Sequence, residues 1–227
     1  MKGSRSRRSL GSVGLGIAGL AMLSLLMMTG CANLASFQTA ETLDADEGKG
    51  GGGVTWTRYN LEGFGFEEED DPTITIPAVA GWYRRGITDD FEVNGMIWMP
   101  FGAKLGGKYQ LAGAKGQTGG QLAVGAHAGY LQVTGESSDT EDNAVSIIDA
   151  YAPVYLGYRV ASGLAMYVTP QYILRIITGD NSDVGHTVSA SVGAAFGEST
   201  QFHLEATPGY DLTAEDVVMN FGIGVTF

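Results

Sequence analysis

Asp216-Val217-Val218-Met219-Asn220-Phe221-Gly222-Ile223-Gly224-Val225-Thr226-Phe227 closes the chain. Read in steps of two, it separates into two rows. Val217, Met219, Phe221, Ile223, Val225 and Phe227 form an apolar row, and Val218, Asn220, Gly222, Gly224 and Thr226 form a small or polar one. Alternate side chains of an extended strand point to opposite faces, so this segment is a strand that is apolar on one side only. The same rhythm runs back through the sequence, and no stretch after residue 48 has a helical period. Turn residues divide it into ten predicted strands, at 48–60, 73–86, 90–101, 103–111, 120–133, 144–160, 163–177, 184–197, 200–210 and 216–227. Most exceed the ~9–11 residues that a tilted strand needs to cross a bilayer. An even number suits a closed, single-chain, up-and-down antiparallel barrel.

The connections alternate. Residues 87–90, 161–163 and 198–200 are short, and 112–119 is longer but glycine-rich. On the opposite side lie 60–72, 134–143, 178–183 and 211–215, with a tight turn near 100–102. Membrane barrels keep short turns in the periplasm and longer loops outside, so both ends of the barrel domain fall on the periplasmic side. On the apolar face Trp82, Phe91, Tyr109, Tyr158, Phe196, Phe202 and Phe227 cluster at that end. Trp56, Tyr130 and Tyr210 lie toward the other. Two aromatic belts around an aliphatic waist are what a lipid–water interface selects, whereas a soluble core would place its large rings centrally. Glycine is abundant, 35 of 227 residues, without a collagen period. Gly125, Gly129, Gly157 and Gly193 fall on the inward face, where they make room for bulkier partners. Gly50–Gly53 reads either as the opening of the first strand or as linker.

The first thirty residues differ in kind. Lys2, Arg5, Arg7 and Arg8 precede an uncharged apolar run from Leu10 to Thr29, which ends in Met28-Thr29-Gly30-Cys31. Cys31 is the one cysteine of the chain, so there is no disulfide framework and no cysteine zinc site. A retained transmembrane helix is the competing reading of the run. Four glycines within it, and the small residues before the cysteine, favour a cleaved signal. Removing residues 1–30 takes away four basic and no acidic residues, so the formal charge moves from −12 to −16. A polyanion binder needs basic patches, and nucleic acid is therefore excluded as a general partner.

Met28-Thr29-Gly30-Cys31 resembles the lipobox of bacterial lipoproteins, with Met where Leu is more usual. The alternating C-terminus ending on Phe227 resembles the terminal signature of bacterial outer-membrane barrels. The first resemblance implies a signal peptide over 1–30, acylation of Cys31, and a lipidated periplasmic tether over 31–47 ahead of a barrel over 48–227. Ala32, rather than Asp, after the cysteine implies the outer membrane in that family. The implied partners are outer-membrane lipids and the barrel-assembly and lipoprotein-sorting machinery. Nothing in the sequence sets the oligomeric state.

The predicted interior carries Arg85, Glu92, Lys104, Lys108, His127, Asp149, Arg159, Arg175, His203 and Glu205, together with Trp98, Tyr151, Tyr155 and Tyr167. Charges in a low-dielectric interior must pair or meet water. They are read first as an ion-paired filling and second as a solute path. His203 and Glu205 share a face, with Ser189 and Ser191 on the neighbouring strand, which is the raw material of an outer-membrane lipid hydrolase acting on lipid A or phospholipid. No hydrolase spacing accompanies them, and no catalytic residue is assigned. Glu67, Glu68, Glu69, Asp70 and Asp71 form an acidic loop, and further acids mark the later long loops. Such loops serve solvation or bind Ca²⁺ or Mg²⁺, which take several carboxylate oxygens, although no EF-hand spacing is present. The expected function is an outer-membrane lipoprotein barrel with a structural or surface-interaction role that could include a narrow pore. The alternative is a small-solute channel.

Overall fold

The computed structural model describes residues 34–60, 73–99, 102–135, 143–178 and 182–227. They form strands β1 (Gly48–Asn60), β2 (Thr73–Gly86), β3 (Phe91–Met99), β4 (Gly102–Ala112), β5 (Gly119–Gly135), β6 (Asn143–Ala161), β7 (Leu164–Thr178), β8 (Asp183–Phe196), β9 (Gln201–Asp211) and β10 (Asp216–Thr226). Each pairs antiparallel with its neighbours in sequence, and β1 pairs with β10 from Gly51↔Thr226 to Tyr59↔Val218, which closes the barrel. Beyond that ladder, Gly50 N donates to Phe227 O (3.1 Å) and Phe227 N to Gly50 O (2.9 Å). Closure leaves no sheet edge to template aggregation. Every predicted strand is present, with ends shifted by two residues at most.

The glycine run belongs to β1 and is not a linker. A Cβ on Gly51 would lie 2.3 Å from the Trp82 ring and 2.5 Å from Val225 O, and one on Gly53 would lie 2.6 Å from Ile223 O. The backbone passes too close there for any side chain.

Short connections and both barrel ends share one rim, here the short-turn rim; the other is the loop rim. The two faces invert the usual soluble order. Leu105 and Ile97 are 69% and 68% exposed on the outside, whereas Glu92 and Lys108 are fully buried inside. Exposed aliphatics continue around the wall through Val79, Val154, Val168, Val192 and Ile223. An apolar surface of that extent is not left facing water, and a lipid surround satisfies it. Tyr109, Tyr158, Phe196, Phe202 and Phe227 are exposed near the short-turn rim, and Trp56, Tyr130 and Tyr210 toward the loop rim, as the belts predict.

β2 corrects the sequence reading. Trp82 and Arg84 point inward and are buried, while Tyr83 and Arg85 point outward. Arg85 is therefore not an interior residue; its side chain is half exposed and meets Asp46 at 3.3 Å. Trp82-Tyr83-Arg84-Arg85 offers one aromatic and one arginine to each parity, so alternation alone cannot choose. Tertiary partners decide: Glu92 on β3 receives Arg84, and Phe37 receives Trp82.

Leu105 pairs with Ala128, near the middle of β5, so Leu105→Arg is expected to cost about 2–4 kcal/mol of folding free energy, the figure for a cation near the bilayer midplane. Urea titration of protein folded into liposomes measures this. A loss near zero would mean that the outer wall does not face hydrocarbon.

Candidate functional site

The lumen is occupied by the chain itself. Residues 34–43 are buried within the barrel, apart from the half-buried Glu41. This corrects the expectation of a polar periplasmic tether for that part of 31–47. Asp44–Glu47 lie at the short-turn rim, where Asp46 N donates to Gly86 O (3.0 Å) and Gly86 N to Glu47 O (2.9 Å). From there toward Leu34 the segment climbs the lumen, bonded to the wall at almost every step. Such a segment brings unpaired backbone groups into a dry space, so each must find a partner.

The lower contacts surround Glu92. Its carboxylate accepts from Arg84 Nε (2.8 Å) and Nη2 (2.7 Å), lies 3.2 Å from Lys108 Nζ, and accepts from Leu43 N (3.0 Å). Lys108 donates in turn to Thr39 O and Glu41 O, both at 3.0 Å. Arg84 also donates to Glu41 O (3.1 Å), and Gln110 accepts from Thr42 N (2.9 Å). The Glu41 carboxylate pairs with Arg159.

The upper contacts surround Glu205. It accepts from Ser36 N (2.7 Å), Ser36 Oγ (3.1 Å), Phe37 N (2.9 Å), Tyr167 OH (2.9 Å) and Thr207 Oγ1 (3.2 Å). Phe37 has φ 46°, a left-handed conformation uncommon outside glycine. That turn aims two successive N–H groups at one carboxylate, the concave anion grip that consecutive amides make. The Phe37 ring is fully buried and stacks on Trp82, with centroids 4.9 Å apart and planes 17° apart. Inward glycines admit it: a Cβ on Gly222 would lie 2.5 Å from the Phe37 ring, and one on Gly224 2.6 Å from Trp82. Above this, Leu34 packs with Tyr151 and Ile173, and Leu34 O accepts from Gln171 Nε2 (3.2 Å).

Of the other sequence-predicted residues, Asp149 and Arg175 form a buried pair (2.8 and 2.9 Å) joined by Tyr151 OH (3.1 Å). Lys104 Nζ stands 5.1 Å from the centre of the Tyr151 ring, and Lys108 Nζ 5.2 Å from that of Tyr155. His127 is buried beside Gly106. His203 Nε2 bonds Thr226 Oγ1 (3.1 Å) and its ring meets Phe37, Trp82 and Tyr167 edge-on. The suspected hydrolase set does not assemble. Ser189 Oγ accepts from Gln171, Ser191 Oγ is paired with Thr207, and Glu205 is occupied by the segment. Cys31 and Glu67–Asp71 lie outside the described residues. Among the described residues no group of three His, Cys, Asp or Glu side chains could hold a metal.

Sequence reasoning missed Arg84, Gln110, Gln171 and the segment itself. A signal was available, because a solvated tether has no use for Leu34, Phe37 and Leu43.

No protein-family model and no curated protein matches the chain. Among solved structures it is similar to the attachment invasion locus protein Ail of Yersinia pestis: 11% identity, 81% of this chain and 99% of that one, TM-score 0.33. It is also similar to the outer-membrane protease OmpT of Escherichia coli (11%, 83% and 98%, TM-score 0.40). A third is the translocator domain of the autotransporter NalP of Neisseria meningitidis (9%, 95% and 97%, TM-score 0.41).

Glu92→Ala leaves Arg84 and Lys108 buried beside each other without their carboxylate. The expected loss is about 3–5 kcal/mol, read from the urea midpoint of the refolded protein. Arg85→Ala, on the outward face, should change stability by no more than about 0.5 kcal/mol.

Proposed function

We propose that this chain is an outer-membrane barrel whose lumen is closed by its own N-terminal segment, and that it serves a structural or surface-interaction role without standing passage of solute. The burial of residues 34–43 across the lumen carries this reading. An open channel needs a continuous water path, and the Phe37–Trp82 stack and the Glu41–Arg159 pair stand in its way. A channel remains the second reading only for a state in which the segment has left, because the vacated wall would be lined with charge.

Planar-bilayer recording tests this. Folded wild-type protein is expected to give no resolvable current. Gly222→Leu places its side chain where the Phe37 ring now lies, and should evict the segment and produce discrete conductance steps. Steady conduction by the wild type would overturn the closed barrel.

As a second reading, which the lipobox-like Met28-Thr29-Gly30-Cys31 favours, we propose a separate acylated form with its lipid on Cys31, and the closed lumen then belongs to the chain without that lipid. Leu34 is bonded at the level of Gln171, seven residues along β7 from Leu164. At ~3.3 Å per residue and a tilt of ~40°, that is roughly 18 Å from the short-turn rim. Three residues of chain reach only about 10 Å. A lipid on Cys31 in the periplasmic leaflet and a seated segment therefore exclude each other, and anchoring requires the segment to be withdrawn. In cells fed labelled palmitate, the labelled protein should be cut by protease within residues 34–43, while Cys31→Ser protein should protect them. Labelled protein that protects the segment would refute the exclusion.

A further inference from the structure

We infer that the lumen is a peptide-binding tunnel, able to take as a separate molecule an extended peptide bearing Phe and Glu four residues apart. The inference rests on the plugged-barrel reading and goes beyond it, because a plug need only fill space, whereas this wall reads a peptide backbone. Carbonyl oxygens are met by donors: Leu34 O by Gln171, Thr39 O by Lys108, Glu41 O by Lys108 and Arg84, and Leu43 O by Lys115. Amide N–H groups are met by acceptors: Ser36 and Phe37 by Glu205, Thr42 by Gln110, and Leu43 by Glu92.

Contacts to the main chain tolerate sequence and fix direction, as they do when a peptide adds to a sheet edge. Two side chains add selectivity. Phe37 enters a slot between Trp82 and His203, floored by Gly222 and Gly224, and Glu41 reaches Arg159 and Gly116 N.

The wall is poorly satisfied without an occupant. With the segment seated Glu205 is buried; without it the bonds from Ser36 N, Ser36 Oγ and Phe37 N are lost, and those from the Tyr167 and Thr207 hydroxyls stay. Water entering the emptied tunnel offsets part of that loss, but it does not reproduce the fixed pair of amides that the segment aims at this carboxylate. The tunnel therefore favours being refilled over standing empty. In the intact chain the tethered segment competes at an effective concentration in the millimolar range, which keeps free peptide out. Cutting the tether removes that advantage and leaves the binding chemistry intact.

The test uses the whole chain, folded first and cut afterwards. A protease site is inserted between Ala45 and Asp46, both exposed at the short-turn rim. After cleavage in detergent the fragment should remain with the barrel on gel filtration. It should then exchange for a fluorescent synthetic peptide of residues 34–45, giving saturable anisotropy. A Phe37→Ala peptide should compete at least about 100-fold more weakly, the lower end of the scale for deleting a buried phenylalanine, and uncut protein should take up no label. A fragment that stays bound and never exchanges would overturn the inference while leaving the plugged barrel intact. So would equal competition by a scrambled peptide. A fragment that departs at once, with no rebinding of peptide, would also overturn the inference, and steady conductance of the uncut protein is what would sink the plugged-barrel reading.

Discussion

Glu92 lies fully buried between two cations, Arg84 and Lys108, inside a tube whose outer wall is apolar. That arrangement expresses the constraint on which the rest of the molecule depends. A barrel in lipid turns its apolar residues outward and must gather its polar residues in a lumen too narrow for bulk water. Removing a charge from water costs several kcal/mol, and mutual attraction offsets this only when the remaining hydrogen-bonding positions are also filled. The wall pairs most of its charges with one another. The positions left over are filled by backbone amides and carbonyls of residues 34–43. The segment is thus a working part of the barrel's electrostatics, placed where the wall's own side chains fall short.

The strands were legible because their cause is local. A surface that is wet or charged on one side and lipid-facing on the other imposes a period of two, and this chain keeps that period from β1 to β10. The inward charges were legible for the same reason: Glu92, Lys108, Asp149, Arg175 and Glu205 sit at positions where the alternation demands a lumen-facing residue. Where local pattern offers equal choices, the reading fails. Trp82 and Arg85 were assigned to the wrong faces because each parity of that stretch holds one ring and one guanidinium. Only residues distant in sequence, Phe37 and Glu92, distinguish them.

The segment escaped for a different reason. It has no period, because it belongs to neither helix nor sheet, and its Ser, Gln, Thr and Glu residues resemble those of a solvated linker. Its partners are spread over the wall, from Glu92 and Gln110 to Gln171 and Glu205, so locally only its own apolar residues, Leu34, Phe37 and Leu43, point to burial. Phe37 adds a feature that sequence does not encode visibly. A non-glycine residue in the left-handed region costs on the order of 1–3 kcal/mol, and persists only where its surroundings over-determine it. Here a carboxylate gripping two amides and a stacked indole supply that determination.

The inward glycines connect these points. Gly222 and Gly224 stand under Phe37 and Trp82, Gly157 faces Ala40, and Gly193 lies under Tyr167, whose hydroxyl holds Glu205. A wall meant to fill its lumen with its own side chains would carry large residues at such positions, as closely packed small barrels do. This wall instead leaves space at the positions where the segment and its aromatic supports lie. A cavity in a protein core forfeits contacts in proportion to its volume, so glycines whose vacated space is then occupied are consistent with a wall built around an occupant. The absence of side chains on the wall and the presence of Phe37 in the segment are therefore two halves of one packing solution. That is why residues 34–43 and the barrel, which read as separate parts of the sequence, act as one unit in the fold.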